Sequence, residues 1–129
     1  MRIDRLEVYY LEMPMAYTLK TAYGEDKVCH TVLVKAISGD FAGWSESSPF
    51  FAPTYTNESA GSVYYQVTEV IGPSIIGREY DTAGELNERL SIYKGNSFGK
   101  AAIEVAWWTL ESAITGITLN LLLGGTPRE

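Results

Sequence analysis

The sequence predicts an α+β domain, a three-stranded antiparallel meander followed by a helical bundle. Period-2 apolar alternation is confined to residues 1 to about 48, and helical spacing to residues from about 56 to 123. Elements segregated along a chain in this way build α+β rather than alternating α/β folds. The 129 residues are 46% hydrophobic and 20% charged, the balance of a single globular core, so residues 1–129 read as one domain. A (β/α)₈ barrel takes ~250 residues and is absent from this length.

The elements follow in order. Leu6, Val8 and Tyr10 alternate with Arg5, Glu7 and Tyr9, predicting a half-buried strand from Ile3 to Leu11. Val28 to Ile37 is rich in β-branched residues and predicts the second strand, and Ser38-Gly39-Asp40 closes a hairpin into a third from Phe41 to Ser47. Thr56 or Asn57 caps a helix in which Ala60, Val63, Tyr64, Val67, Val70 and Ile71 recur at helical spacing until Gly72-Pro73 stops it. Thr82 and Glu85 have capping-box spacing for a second helix, which Gly95 ends. Ser97 opens a third, apolar on most sides from Phe98 to Ile114 and therefore central, with Gly116 placed for its C-cap. Leu119 to Leu123 adds a short apolar turn.

Charge and cysteine content narrow the function classes. The chain carries 16 acidic and 10 basic residues, a net charge of −6, with no Lys or Arg between residues 36 and 77. Phosphate binding needs clustered cations, so a nucleic-acid partner is not expected. Cys29 is alone, which excludes an internal disulfide and points to a reducing compartment. No signal-like apolar region opens the chain and no stretch approaches the ~20 apolar residues of a membrane span. A cytoplasmic protein without a membrane partner is expected. Asn57-Glu58-Ser59 fits a glycosylation acceptor pattern and is read as a helix-capping cluster.

Two connections are unusually aromatic: Met13 to Lys27, joining strands one and two, and Pro49-Phe50-Phe51-Ala52-Pro53-Thr54-Tyr55 before the first helix. Uncharged aromatic loops either fold back on the core or meet a ligand or partner. Catalytic constellations are missing. His30 is the only histidine, and it neighbours Cys29 on a strand, where consecutive side chains point to opposite faces, so it reads as an ordinary strand residue. Glu46 ends the third strand without an acid–base partner and is expected to accept hydrogen bonds from loop backbone N–H groups. Of the helical pair Trp107-Trp108, one residue should enter the core and the other pack beneath a neighbouring element. No catalytic residue and no metal ligand set is assigned.

The opening Met1 to Val8, Lys20-Thr21-Ala22-Tyr23-Gly24, Val32-Leu33-Val34-Lys35, Gly43-Trp44-Ser45-Glu46 and the helix Lys100 to Leu110, in this order and spacing, resemble the N-terminal capping domain of the enolase superfamily. Within the muconate-lactonizing and mandelate-racemase branch, the resemblance is to o-succinylbenzoate synthase and N-acylamino acid racemase. It implies that a C-terminal barrel, in cis or in trans, carries Lys bases and three acidic ligands for Mg²⁺, and that this chain itself holds no cofactor. It also implies that the two aromatic connections face the substrate, with Tyr17, Leu19 and Tyr23 in the first and Phe50, Phe51 and Tyr55 in the second shaping a pocket. The expected role is a specificity cap for an isomerase or lyase of this kind, inactive without a barrel. The alternative is a stand-alone, self-associating interaction module or truncated gene product, with a second copy of the chain as its partner. Departures from the family pattern fall at Thr109, where Asp is usual, at Ala113-Ile114 near a usual basic residue, at Ser45 for Gly and at Thr18 for Pro. They imply a missing ion pair or cap contact where a barrel would dock.

Overall fold

Three antiparallel strands in the order β1-β2-β3 form the sheet: β1 (Arg5–Thr21), β2 (Gly24–Ser38) and β3 (Phe41–Ser47). The structure, a computed structural model, describes residues 1–22 and 24–126. Leu6, Val8 and Tyr10 oppose Ala36, Val34 and Val32, and Ala36, Val34 and Val32 oppose Gly43, Ser45 and Ser47, so one face of the sheet is apolar and small. The first hairpin is longer than the alternation predicts. The expected loop from Met13 to Lys27 is instead the outer half of β1 and β2, paired backbone to backbone as far as Thr21 and Gly24. Its side chains stand largely exposed, so no period-2 signal marks it as strand. Pro14 is tolerated because β1 is an edge strand.

The first helix starts at Ala60, later than predicted. Ser59, rather than Thr56 or Asn57, is the N-cap: its hydroxyl accepts from the Ser62 N–H at 3.3 Å while Ser62 Oγ accepts from the Ser59 N–H at 2.9 Å. Nor does Gly72-Pro73 stop the helix. α1 (Ala60–Tyr65) continues through a π-helical segment (Gln66–Ile71) into α2 (Gly72–Ile75). Val63, Val67, Ile71 and Ile75 are all buried at a spacing of four. An α-helix drifts by about 40° over each such step, and the wider π turn keeps the row facing the sheet. Gly72 permits this, because a Cβ there would collide with the Val67 carbonyl oxygen.

α3 (Ala83–Leu90) is capped as predicted, Thr82 Oγ1 accepting from the Glu85 N–H at 3.2 Å, although it ends five residues before Gly95. α4 (Ser97–Thr115) is the central helix and closes on Gly116 in the left-handed conformation, and α5 (Leu119–Leu122) follows. Trp107 enters the core and Trp108 packs edge-on against it at 5.1 Å.

β3 and α4 pack through small residues at matched spacing. Ser47, Ser45 and Gly43 descend the strand in steps of two against Phe98, Ala102 and Ala106, which climb the helix in steps of four. The two steps are nearly equal in length, about 6.6 Å and 6 Å. Ser45 Oγ donates to the Ala102 carbonyl at 2.5 Å, Ser47 Oγ to that of Phe98 at 3.5 Å, and Thr109 Oγ1 to that of Trp44 at 2.9 Å. Two of the departures from the family pattern, Ser45 and Thr109, therefore bind the sheet to the helix.

Candidate functional site

The site lies where the outer hairpin meets the chain leaving β3. Pro14 pairs with Val28 and Leu19 with Asp26, so Met15 to Thr18 bulge opposite Lys27 alone. A bulge of this kind bends its strand and re-aims side chains. It opens a groove of about 490 Å³ lined by Met13, Met15, Tyr17, Leu19 and Cys29 among others. Tyr17 is 86% exposed there.

The second wall is the segment from Ser48 to Ser59, fixed at both ends. At its start Ser48 Oγ lies 2.7 Å from both Glu46 Oε1 and the buried Thr31 hydroxyl, which also donates to Glu46 at 3.2 Å. Glu46 thus accepts from side-chain hydroxyls rather than from the backbone N–H groups expected, because the register places Leu11, Thr31 and Glu46 on one sheet face. At its far end the Phe50 carbonyl accepts from the Ala60 N–H at 3.1 Å. Glu58, 5% exposed, turns inward and accepts from the Phe98 N–H at 3.1 Å and the Gly99 N–H at 3.4 Å. Asn96, the N-cap residue of α4, makes no side-chain cap, so Glu58 supplies it from across the fold. The capping cluster read at Asn57-Glu58-Ser59 therefore caps two helices.

Between the walls is a cavity of about 200 Å³ with Met15, Leu19 and Val28 on the hairpin side and Pro49, Phe50 and Phe51 on the other. Of the residues expected to shape a pocket, Leu19, Phe50 and Phe51 come together here. Tyr17 lies in the adjoining groove, which shares Leu19 with the cavity, and the Tyr55 ring lies tilted against that of Phe50 at 5.9 Å, outside the cavity lining. Tyr23 lies outside the described residues. Phe50 is half-buried and Phe51 66% exposed, so only the first turns toward the domain's own interior.

His30, read from sequence as a strand residue of no consequence, forms part of this cavity, as does Cys29. Cys29 and His30 keep regular pairing with Met13 and Glu12, while the bulge on the partner strand brings Met15 and Leu19 against Cys29 and the His30 ring lies 4.9 Å from that of Phe51. One signal was available: His30 shares strand parity with the inward-facing Val32, Val34 and Ala36. Its Nδ1 is 2.9 Å from Tyr10 Oη and 3.7 Å from Glu12 Oε1. Burial, and secondarily the Glu12 charge, push the Tyr10 hydroxyl pKa up, so it stays protonated. Among the described residues no three His, Cys, Asp or Glu side chains converge, so they do not fit the Mg²⁺ site of the resembling enzymes. No helix among them is long and apolar enough to cross a membrane.

An α+β domain with a hairpin arm and an aromatic segment forming an apolar cavity has the form of a cap. No protein-family model matches the chain. It is 31% identical over 125 residues to o-succinylbenzoate synthase of Bacillus subtilis, covering 96% of this chain and 34% of that protein. To N-succinylamino acid racemase of Thermus thermophilus it is 29% identical, covering 97% and 34%. A solved enolase-superfamily member from Listeria innocua superposes with a TM-score of 0.91 at 27% identity, over 98% of this chain and 34% of that one. The chain is an N-terminal domain of the enolase superfamily. It spans about a third of the length of the relatives it matches.

Proposed function

We propose that this chain is the substrate-specificity lid of an enolase-superfamily isomerase or lyase of the o-succinylbenzoate synthase, N-acylamino acid racemase or muconate cycloisomerase kind. The observation that carries the reading is the apolar cavity where Leu19 meets Phe50 and Phe51. Such a surface supplies shape selection and water exclusion, while the proton-transfer groups and the Mg²⁺ ligands belong to a barrel. The apolar residues exposed along the end of α4 and beyond it, Ile114, Ile117, Leu121 and Leu123, offer a docking face for that barrel.

The same face supports a second reading, a self-associating module without an enzymatic role. Turnover assays separate the two. Alone, the purified chain should racemise no N-acylamino acid and dehydrate no succinylbenzoate precursor in the presence of Mg²⁺. Joined to the barrel of a relative in place of that protein's own N-terminal third, it should restore turnover. Activity of the chain alone overturns the lid reading, and an inactive, folded fusion supports the self-associating module.

A further inference from the structure

We propose that His30 is a specificity residue of this cavity, donating an Nε2–H hydrogen bond to a neutral carbonyl oxygen borne by an aryl or branched alkyl group. The inference rests on the lid reading and gives it a ligand chemistry. The first step is the tautomer. Tyr10 Oη has no acceptor other than His30 Nδ1 among the described residues, so its proton is directed to Nδ1 and the ring's own proton sits on Nε2. Tyr10 is held in turn by the edge of Tyr64, with ring centres 6.0 Å apart at 88°.

Nε2 makes no hydrogen bond among the described residues and, although the His30 side chain is only 14% exposed, this atom is not fully buried and stays open to a ligand. A donor so placed is unsatisfied unless a ligand or water reaches it. The walls around it are apolar, and the volume of about 200 Å³ exceeds the about 150 Å³ that holds a benzene ring. Charge selects among acceptors. Asp26 lines the cavity, Glu12 stands beside Nδ1, and no Lys or Arg lines it. A carboxylate would be repelled there, whereas a ketone or amide oxygen would not.

The lone histidine makes the test direct. In the full chain, the His30 ring resonances and those of Leu19 and Phe51 are followed by NMR during titration with acetophenone, with α-methylstyrene, which replaces C=O by C=CH₂ at the same shape, and with benzoate. Acetophenone should shift the His30 signals and bind about 5-fold tighter than α-methylstyrene, the worth of one hydrogen bond. His30→Leu should bring the two affinities together. Should that variant fail to fold, Tyr10→Phe serves instead: by releasing Nδ1 it should lower the preference for acetophenone and leave hydrocarbon binding unchanged. Equal affinity of both compounds for the unaltered chain, with Leu19 and Phe51 shifting, overturns the role of His30 and leaves the lid reading standing. Tighter binding of benzoate overturns the neutral-carbonyl selection. If neither compound moves the Leu19 or Phe51 signals, both the inference and the cavity it rests on fail.

Discussion

Gly43→Ala should destabilise the domain by about 3 kcal/mol or more, the upper end of what an added methyl costs in a packed interior. The Cβ would fall 2.6 Å from Leu110 Cα and overlap the Leu110 backbone nitrogen and the Ala106 carbonyl oxygen. These atoms belong to the helix backbone and cannot rotate away. Relief requires lifting α4 from β3, which would also stretch the hydroxyl contacts of Ser45, Ser47 and Thr109. With total stabilities of about 5–15 kcal/mol usual for domains, a loss of this size is readily seen as a lower urea midpoint. A shift of under about 1 kcal/mol would contradict the close approach.

The second large effect is expected at Glu58. Removing the carboxylate strands the Phe98 and Gly99 N–H groups at a buried helix start and deletes a negative charge from its positive end. Glu58→Ala should therefore cost about 2–3 kcal/mol, and Glu58→Gln, which keeps one acceptor, about 1 kcal/mol. Amide exchange at Phe98 and Gly99 should accelerate in step with the fall in thermal stability. Wild-type protection of both amides in Glu58→Ala would show that the cap lies elsewhere. Because Glu58 adjoins Ser59, the N-cap of α1, the same change should loosen the aromatic segment that walls the cavity.

These two residues illustrate what the sequence could and could not disclose. Strands and helices with one buried face announce themselves by periodicity, which is why β3, α4 and the cap of α3 were legible from Phe41–Ser47, Phe98–Ile114 and Thr82. Three features carried no such signal. The outer hairpin is held by backbone pairing with little burial, so its side chains follow no alternation. The π-helical segment preserves a spacing of four that reads as an ordinary helix until Gly72-Pro73 breaks the pattern. The Glu58 cap joins residues 40 or 41 apart, beyond any local rule. At the site, aromatic composition singled out the two connections, and the family resemblance put Leu19, Phe50 and Phe51 among the residues expected to shape a pocket. His30 keeps the inward parity of Val32, Val34 and Ala36, but what it faces is set by the bulge at Met15 to Thr18 and by Phe51, neither of which a local pattern discloses.

The central claim is that the hairpin arm and the Ser48–Ser59 segment set substrate choice. It is tested most directly in a fusion of this chain to the barrel of an o-succinylbenzoate synthase, by measuring kcat/KM for two substrates that differ in the bulk of the group placed under the lid. Leu19→Ala and Phe51→Ala should each change the ratio of the two kcat/KM values by about 10-fold, the scale on which apolar pockets discriminate size. A ratio that stays within about 2-fold in both variants, with turnover intact, would contradict the assignment of specificity to this domain.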